Sequence, residues 1–178
     1  MFESLPFLRK HFPRAFFHLA FPSSSGVPHL ELGQLGETHV AHRLRTAGWR
    51  ILAQKALTPS GEIDLVAIQD NVLVLVEVKS GLWPMGKRKL DLDALRWRPG
   101  HRFGREQFDA YRRALPQLQT RLPGGPVPSG RIDLIEVFWR HGKLGPALVH
   151  HVDLQSPLCW SGPVDGGGGS GPHGAPRP

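Results

Sequence analysis

Two apolar segments separated by a short polar turn constrain the fold of this chain more than any other feature. Residues 62–68 read EIDLVAI and residues 72–79 read VLVLVEVK, with Gln-Asp-Asn between them. This pattern is typical of a β-hairpin, with Asp70 and Asn71 as the central turn residues. Apolar side chains alternate onto both faces of the two segments, so the hairpin should lie at the centre of a sheet that is covered on both sides.

The register of this hairpin predicts a pair of neighbouring acids. Pairing around the turn places Asp64 opposite Glu77 and Glu62 opposite Lys79. Two carboxylates about 5 Å apart at the mouth of a buried sheet repel each other and are costly to desolvate. A divalent cation would compensate, and Mg²⁺ suits a site with one or two carboxylates, water and phosphate oxygens.

Lys79 should project from the same face as Glu77, since the two residues are two positions apart on a strand. From there it could orient or help deprotonate an attacking water and stabilise charge on a phosphate. A metal-free cluster, in which Asp64 shares a proton with Glu77 or pairs with Lys79, explains the same residues. A slip of one residue in the turn would move Glu77 to the other face.

A third acid lies on a predicted helix. Residues 33–47 show helical periodicity, and Glu37 shares one stripe with Val40, Ala41 and Leu44. An acid on a buried stripe is unusual without a partner, so Glu37 could complete the surroundings of the metal or bind a second ion. The helix dipole, which favours acids near a helix N-terminus, is the alternative explanation.

The order of the predicted elements favours an α/β domain with a central mixed sheet flanked by helices. After the first helix come three strands, a second helix at 104–118 that should be strained or end near Pro116, and strands at 132–139 and 147–152. Asp133 is expected to be a strand-end residue. The adjacent His150 and His151 should point to opposite faces of their strand.

The two ends of the chain differ from its middle in composition. Residues 1–30 are aromatic and rich in Pro and Ser, and 12 of the 23 residues at 156–178 are Gly or Pro. These compositions predict a flexible extension and a disordered tail around a folded domain at 31–155. A single cysteine excludes an internal disulfide, and no stretch is long and apolar enough for a membrane span. A cytoplasmic location is expected.

Four short motifs together resemble the YraN-like family of small bacterial proteins. They are Gly36-Glu37, Gly48, GEIDLVA at 61–67 and LVEVK at 75–79, and the resemblance covers roughly residues 33–153. This family is a branch of the PD-(D/E)XK nuclease superfamily, related to archaeal Holliday-junction resolvases. The resemblance implies a restriction-endonuclease-like core and endonuclease activity that depends on Mg²⁺ or Mn²⁺.

The resemblance also implies roles for individual residues. Catalytic roles fall on Glu37, Asp64, Glu77 and Lys79, and the metal ligands are Asp64, Glu77 and the backbone carbonyl of Val78. Junction resolvases commonly act as two-fold dimers, so analogy adds a homodimer. Gln107 and Tyr111, four residues apart on one helix face, resemble the Q-x-x-x-Y element of RecB-type nucleases. Amphipathic packing explains the tyrosine equally well.

The positive charge of the chain is concentrated in one region. The net charge is +7, and residues 79–121 hold 11 basic side chains against four acidic ones. Such a local excess indicates a surface that faces a polyanion, with DNA as the expected partner, although a solvated basic loop explains it equally well. The residues expected to contact nucleic acid are Lys87, Arg88, Lys89, Arg96, Arg98, Arg102, Arg105, Gln107 and Tyr111.

Three functions are compatible with these patterns. The first is a metal-dependent endonuclease that cleaves phosphodiester bonds, with branched DNA in repair or recombination as the expected substrate. The second is a non-catalytic nucleic-acid-binding accessory protein, and the third is an adaptor for a protein partner. Trp83 or Trp97 could stack on an exposed base or anchor the basic loop to the core. DNA and RNA are not distinguished by the sequence.

Overall fold

The structure is a computed structural model that describes residues 29–83, 89–92, 95, 97–122, 125–127, 129–140 and 145–158. Its elements, in chain order, are helix α1 (His29–Thr46), strands β1 (Arg50–Thr58), β2 (Gly61–Gln69) and β3 (Val72–Leu82), a 3₁₀ turn (Pro99–Arg102), helix α2 (Arg105–Arg121), and strands β4 (Ser129–Trp139) and β5 (Ala147–His151). This order confirms the predicted α/β fold class. The predicted extension at 1–30 and tail at 156–178 lie mostly outside the described residues.

The five strands form one mixed sheet in the order β1-β2-β3-β4-β5. The β1–β2, β2–β3 and β4–β5 pairs are antiparallel, whereas β3 and β4 are parallel. Each residue of β3 pairs with the residue 57 positions later, as Val72 does with Ser129 and Lys79 with Glu136. The 3₁₀ turn and α2 lie in the crossover that a parallel pair requires. The β2–β3 hairpin therefore occupies the centre of the sheet, as predicted.

One helix covers each face of the sheet. Val74, Val76 and Val78 of β3 pack in the same buried cluster as the apolar stripe of α1. Leu73 and Leu75 point the other way and pack with the buried face of α2. This three-layer arrangement is consistent with a restriction-endonuclease-like core. No helix in the described ranges is long and apolar enough to cross a membrane.

Helix α1 lies unusually close to β3 at Gly36. A Cβ atom at this position would lie 1.9 Å from Oγ of Ser80 and 3.5 Å from Cγ2 of Val137. Only glycine allows the backbone of the helix to approach the strand this closely. The approach brings the following residue, Glu37, to the part of the sheet where β3 carries Glu77 and Lys79.

The predicted hairpin register is confirmed near the turn and wrong beyond it. The observed ladder runs from Gln69↔Val72 to Leu65↔Val76, as the sequence predicts. The expected pairs of Asp64 with Glu77 and of Glu62 with Lys79 are not part of this ladder. Like charges placed directly opposite each other destabilise a strand pair, so the strands separate where these acids would meet.

The second helix continues through its proline. It ends at Arg121, three residues beyond the predicted end at 118, so of the two alternatives for Pro116 the end of the helix is wrong. Pro116 lies on the exposed side, and the opposite face buries Phe108, Tyr111 and Ala114. Burial of this apolar face offsets the backbone hydrogen bond that a proline inside a helix removes.

Candidate functional site

The β2–β3 hairpin opens at Asp64, one residue past the last ladder pair. In this opening Oδ2 of Asp64 accepts a hydrogen bond of 2.8 Å from the backbone N–H of Val78. The N–H and C=O of one residue in a strand point to the same side, so the Val78 carbonyl also faces the opening. A carboxylate and a backbone carbonyl are therefore brought together where the two strands separate.

Glu77 lies beside this opening and is almost completely buried, with 1% of its surface exposed. Its Oε1 accepts a hydrogen bond of 2.8 Å from the Gln107 amide and lies 2.5 Å from Nζ of Lys79. Its Oε2 accepts a hydrogen bond from the Tyr111 hydroxyl. Nζ of Lys79 also donates to Oε1 of Gln107 at 3.1 Å. The structure thus joins the predicted E-x-K pair to the predicted Q-x-x-x-Y pair.

Tyr111 connects the two strands at the opening. Its hydroxyl donates to Glu77 and accepts a hydrogen bond of 3.1 Å from the backbone N–H of Asp64. Burial, together with the nearby carboxylates of Glu77 and Asp64, raises the pKa of Tyr111 well above its ordinary value. The hydroxyl therefore stays a neutral donor and replaces a ladder contact that the separated strands cannot make.

Glu37 reaches the site from α1, on which its predicted stripe partners Val40, Ala41 and Leu44 are buried. Its Oε2 lies 3.2 Å from Nζ of Lys55 on β1. The hydrogen bond that Lys55 donates to Glu37 raises the pKa of Lys55 despite the opposing effect of burial. The acid therefore has the partner that its position on a buried stripe requires.

Lys55 belongs to the site, although no sequence signal distinguishes it from the other lysines. The pairs Gln54↔Leu65 and Ala56↔Ile63 flank it, so it lies across from Asp64 in the β1–β2 register. Its φ of 51° falls in the left-handed region, which is rarely populated by residues other than glycine. Strained backbone of this kind is common at functional sites.

The electrostatics of the opening fit a divalent cation. Burial, followed by the charge of Glu77, raises the pKa of Asp64 to about 8, even though the Val78 N–H and Lys79 act in the opposite direction. Across the described ranges, no three His, Cys, Asp or Glu side chains lie close enough to hold a metal ion. The donors that fit are the carboxylates of Asp64 and Glu77 and the Val78 carbonyl. This oxygen-only set suits Mg²⁺, which keeps water and takes substrate oxygens.

Eight of the nine residues predicted to contact nucleic acid fall into three groups. Lys89, Arg102 and Arg105 are exposed. Gln107 and Tyr111 lie inside the site described above. Lys87, Arg88 and Arg96 lie outside the described residues.

Arg98, by contrast, is held in a buried ion pair. Its guanidinium binds the carboxylate of Glu136 through both Nε and Nη2, with 2.8 Å between Nε and Oε2. The same carboxylate lies 2.9 Å from Nε2 of His151 and accepts a hydrogen bond of 2.7 Å from the Gly100 N–H. Burial alone would raise the pKa of Glu136, but these partners lower it to about 2. Glu136 pairs with Lys79 in the β3–β4 register, so this cluster adjoins the site.

Asp133 is an interior residue of β4 with no exposed surface, so its prediction as a strand-end residue is wrong. It accepts hydrogen bonds from Arg131 at 3.0 Å and from the Asp153 N–H at 2.9 Å, and lies 2.8 Å from Nε2 of His150. Burial alone would raise the pKa of Asp133, but these hydrogen bonds lower it. His150 contacts Asp133 and His151 contacts Glu136, which confirms that the two histidines point to opposite faces.

The two tryptophans of the basic segment have different surroundings. Trp83 packs edge-on against Phe138 at 6.5 Å, and the Arg140 guanidinium lies 3.7 Å from the centre of its ring. Trp97 is 57% exposed, and the guanidinium of Arg102 lies 5.6 Å from its ring centre. Trp83 is therefore the anchor, and Trp97 is the residue that is open to a partner.

The five-stranded mixed sheet and its two flanking helices define a small α/β domain, consistent with a restriction-endonuclease-like core. The sequence model of "Uncharacterised protein family UPF0102" matches residues 36–137, more than half of the chain. The chain belongs to this family, which confirms the YraN-like resemblance of its motifs. The matched range includes the whole candidate site, from Glu37 to Tyr111, and also Glu136.

Three curated relatives illustrate the similarity. A UPF0102 protein of Renibacterium salmoninarum is 49% identical over 123 residues, which cover 68% of this chain and 92% of the relative. One from Rhodopseudomonas palustris is 32% identical over 114 residues, or 57% of this chain and 87% of the relative. One from Erythrobacter litoralis is 48% identical over 59 residues, or 33% of this chain and about half, 48%, of the relative. These names give a family without an activity.

Proposed function

We propose that this protein is a metal-dependent endonuclease that hydrolyses phosphodiester bonds in nucleic acid. The observation that carries the proposal is the opening of the central hairpin, where Asp64, Glu77 and Lys79 share one partly buried site. Two adjacent carboxylates, one of them with a pKa raised to about 8, are unfavourable without a cation. A site of this kind is more typical of metal-assisted hydrolysis than of a structural core.

In the proposed mechanism, Asp64, Glu77 and the Val78 carbonyl hold Mg²⁺ or Mn²⁺. Such a cation supplies Lewis-acid polarisation of the phosphate and a water of lowered pKa. Lys79 orients the attacking water and stabilises the charge that develops on the phosphate oxygens. Gln107 and Glu77 fix the position of the Lys79 ammonium group through contacts of 3.1 and 2.5 Å.

Glu37 and Lys55 act on the site from its other side. Their ion pair lies near Asp64, and the charge of Glu37 contributes to the raised pKa of Asp64. In the proposal, Glu37 supports the metal site electrostatically without touching the reacting atoms. Removing it should weaken metal binding more than it weakens the chemical step.

The exposed basic residues supply the contacts to substrate. Arg102 donates a hydrogen bond to the backbone carbonyl of Ser80, the residue after Lys79, so its charge lies next to the site. Arg105 and Lys89 add exposed positive charge on the same connection between β3 and β4. Such residues neutralise phosphates without reading base sequence. By analogy with the nucleases that the motifs resemble, we extend the proposal to branched DNA in the cytoplasm, during repair or recombination, and to a homodimer.

A second function, a non-catalytic nucleic-acid-binding accessory protein, is favoured by a different observation. The carboxylate of Glu77 is already satisfied by Lys79, Gln107 and Tyr111 within the protein. A satisfied carboxylate of this kind can be structural. This function predicts salt-sensitive binding of nucleic acid with no metal-dependent turnover.

The decisive experiment compares the purified full chain with a double variant, Asp64→Ala/Glu77→Ala. Each is incubated with labelled junction, flap, duplex and single-stranded substrates in EDTA, Mg²⁺ or Mn²⁺. We expect cleavage by the wild-type protein only, and only with a metal ion. Lys79→Ala should bind substrate and fail to cut. Binding without cleavage under every condition would contradict the nuclease proposal and favour the accessory protein.

A further inference from the structure

Trp97 is a large aromatic side chain that the fold leaves exposed beside the candidate active site. More than half of its surface is open, at 57%, whereas Trp83 in the same connection is packed between Phe138 and Arg140. Leaving a tryptophan in water gives up the burial that such a side chain offers. The exposed ring is therefore a candidate contact for a binding partner.

On the C-terminal side of Trp97, the chain is held in place by contacts with the sheet. Arg98, the next residue, is held by both Nε and Nη2 to the buried carboxylate of Glu136. The Gly100 N–H donates to the same carboxylate at 2.7 Å. The ring of Pro99 lies so close to Gly81 that a Cβ there would be 2.6 Å from its Cγ. These contacts attach the segment to β3 and β4 at consecutive residues.

Arg102 connects the tryptophan to the site. Its guanidinium lies 5.6 Å from the centre of the Trp97 ring and donates a hydrogen bond to the Ser80 carbonyl. Ser80 directly follows Lys79, so ring and cation stand at the end of the strand that carries the proposed catalytic lysine. The guanidinium lies over a ring that is still more than half exposed, so ring surface remains for a base while the cation can meet its phosphate.

We propose that Trp97 and Arg102 form a stacking platform for one unpaired base of the bound strand. The platform selects nucleic acids that have a single-stranded nucleotide next to the scissile phosphate, such as flaps, single-strand ends or open branch points, over continuous duplex. A base inside an intact duplex is stacked on its neighbours and has no free face to offer. The buried Arg98–Glu136 pair fixes the residue next to Trp97, so less conformational entropy of this segment is lost when a base binds. This inference rests on the proposed function.

The test is a binding measurement on the full chain that does not depend on cleavage. Fluorescence anisotropy in Ca²⁺ would compare a labelled single-stranded oligothymidylate with a blunt duplex of the same length, with strand integrity checked on a denaturing gel. Trp97→Ala should weaken binding of the single strand about tenfold and change binding of the duplex less than about twofold. Trp97→Phe keeps an aromatic face and should retain most of the affinity.

Leu57→Ala is the matched control, because Leu57 is 83% exposed and lies on β1, away from the platform. It should bind both ligands like the wild type. Equal single-strand affinity of Trp97→Ala and wild type, with both still binding nucleic acid, would overturn the platform and leave the nuclease proposal standing. No binding of either ligand by the wild type would overturn both.

Discussion

Among the residues of the site, Asp64 has the carboxyl group whose pKa is most clearly changed by its surroundings. Burial and the neighbouring charge of Glu77 raise its pKa from 3.8 to about 8, while the hydrogen bond from Val78 fixes one of its oxygens. In the unfolded chain this carboxyl ionises near its ordinary pKa. Between these two pKa values the metal-free folded protein holds a proton that the unfolded chain has lost. Rising pH therefore destabilises the metal-free fold through Asp64.

Asp64→Asn should remove this pH dependence. Between about pH 4 and about pH 8, the stability of the metal-free wild type should fall relative to the variant by up to about 1.4 kcal/mol per pH unit. By pH 8 the difference in stability between the two proteins should have shifted by several kcal/mol in favour of the variant. Urea unfolding in EDTA at several pH values measures this difference.

The same measurement with Mg²⁺ supplies the control. A cation that binds the Asp64 carboxylate should stabilise the wild type near neutral pH and leave Asp64→Asn almost unchanged. Parallel pH profiles for the two proteins in EDTA would show that Asp64 is ionised in the fold, contrary to the burial and charge described for it.

Tyr111→Phe is expected to destabilise the protein by about 1–3 kcal/mol and to reduce cleavage. The change removes the hydroxyl that donates to Glu77 and accepts from the Asp64 N–H, which leaves buried polar groups without a partner. Thr120→Val also removes a hydroxyl from α2, but one that is exposed, and should shift stability by less than about 0.5 kcal/mol. Thermal unfolding and a cleavage assay on both variants measure the contrast.

At the scale of elements, the contact between α1 and β3 positions Glu37. The contact depends on Gly36, where a Cβ would lie 1.9 Å from Oγ of Ser80. Gly33, one helical turn earlier, has open space around its Cα. The two glycines of one helix therefore serve different purposes, and only Gly36 is required for packing.

Gly36→Ala should destabilise the protein by about 1–3 kcal/mol, because the Ser80 side chain or the helix itself must shift to make room for the new Cβ. Gly33→Ala should be neutral or stabilise the protein by up to about 1 kcal/mol, since alanine is the better helix former. Chemical denaturation of both variants measures the difference. Equal losses would mean that helix propensity, and not the approach to Ser80, governs this segment.

The sequence predicts most elements of this fold, because their patterns are local. Apolar alternation predicts the central hairpin, and its turn predicts the register as far as Leu65↔Val76. The strand separation at Asp64 is not predictable from a two-residue turn rule, because it follows from charge repulsion and from contacts that α2 makes. Pro116 shows the same limit, since burial of the other face of α2 overrides a local helix breaker.

The site could be predicted only where its residues belong to local sequence motifs. Asp64, Glu77, Lys79 and Glu37 belong to recognisable motifs, whereas Lys55 enters only because β1 places it across from Asp64. The acids Asp133 and Glu136 stand out inside an apolar strand, which is a usable signal of buried ion pairs. Their partners come from separate parts of the chain, so the pairing itself requires the structure.

At the scale of the whole molecule, the chain has a net charge of +7, and its basic residues are distributed between the surface and the interior. Arg98 forms an ion pair with the buried Glu136, whereas Arg105 is exposed at the start of α2. Arg98→Met should therefore destabilise the protein by about 3–5 kcal/mol, as expected when one partner of a buried ion pair is removed.

Arg105→Gln should leave stability within about 0.5 kcal/mol of the wild type. It should also reduce the slope of the logarithm of the nucleic-acid binding constant against the logarithm of the salt concentration by about one. Thermal unfolding, together with binding measured over a range of salt concentrations, distinguishes the two arginines. A stable Arg98→Met variant with a reduced salt slope would place Arg98 on the binding surface instead.

The parallel pairing of β3 with β4 also determines the order in which this molecule can assemble. The hairpin that carries Asp64, Glu77 and Lys79 involves near neighbours in sequence, whereas β4 lies 57 positions after its partners in β3. Closing that connection is entropically expensive, so we expect β4 to join late in folding and to limit the folding rate. Gln107 and Tyr111 lie on α2, which precedes β4 in the chain, whereas Glu136 reaches the hairpin only through this closure. A partly folded chain that lacks β4 therefore carries the acids of the hairpin without the Arg98–Glu136 pair that adjoins them.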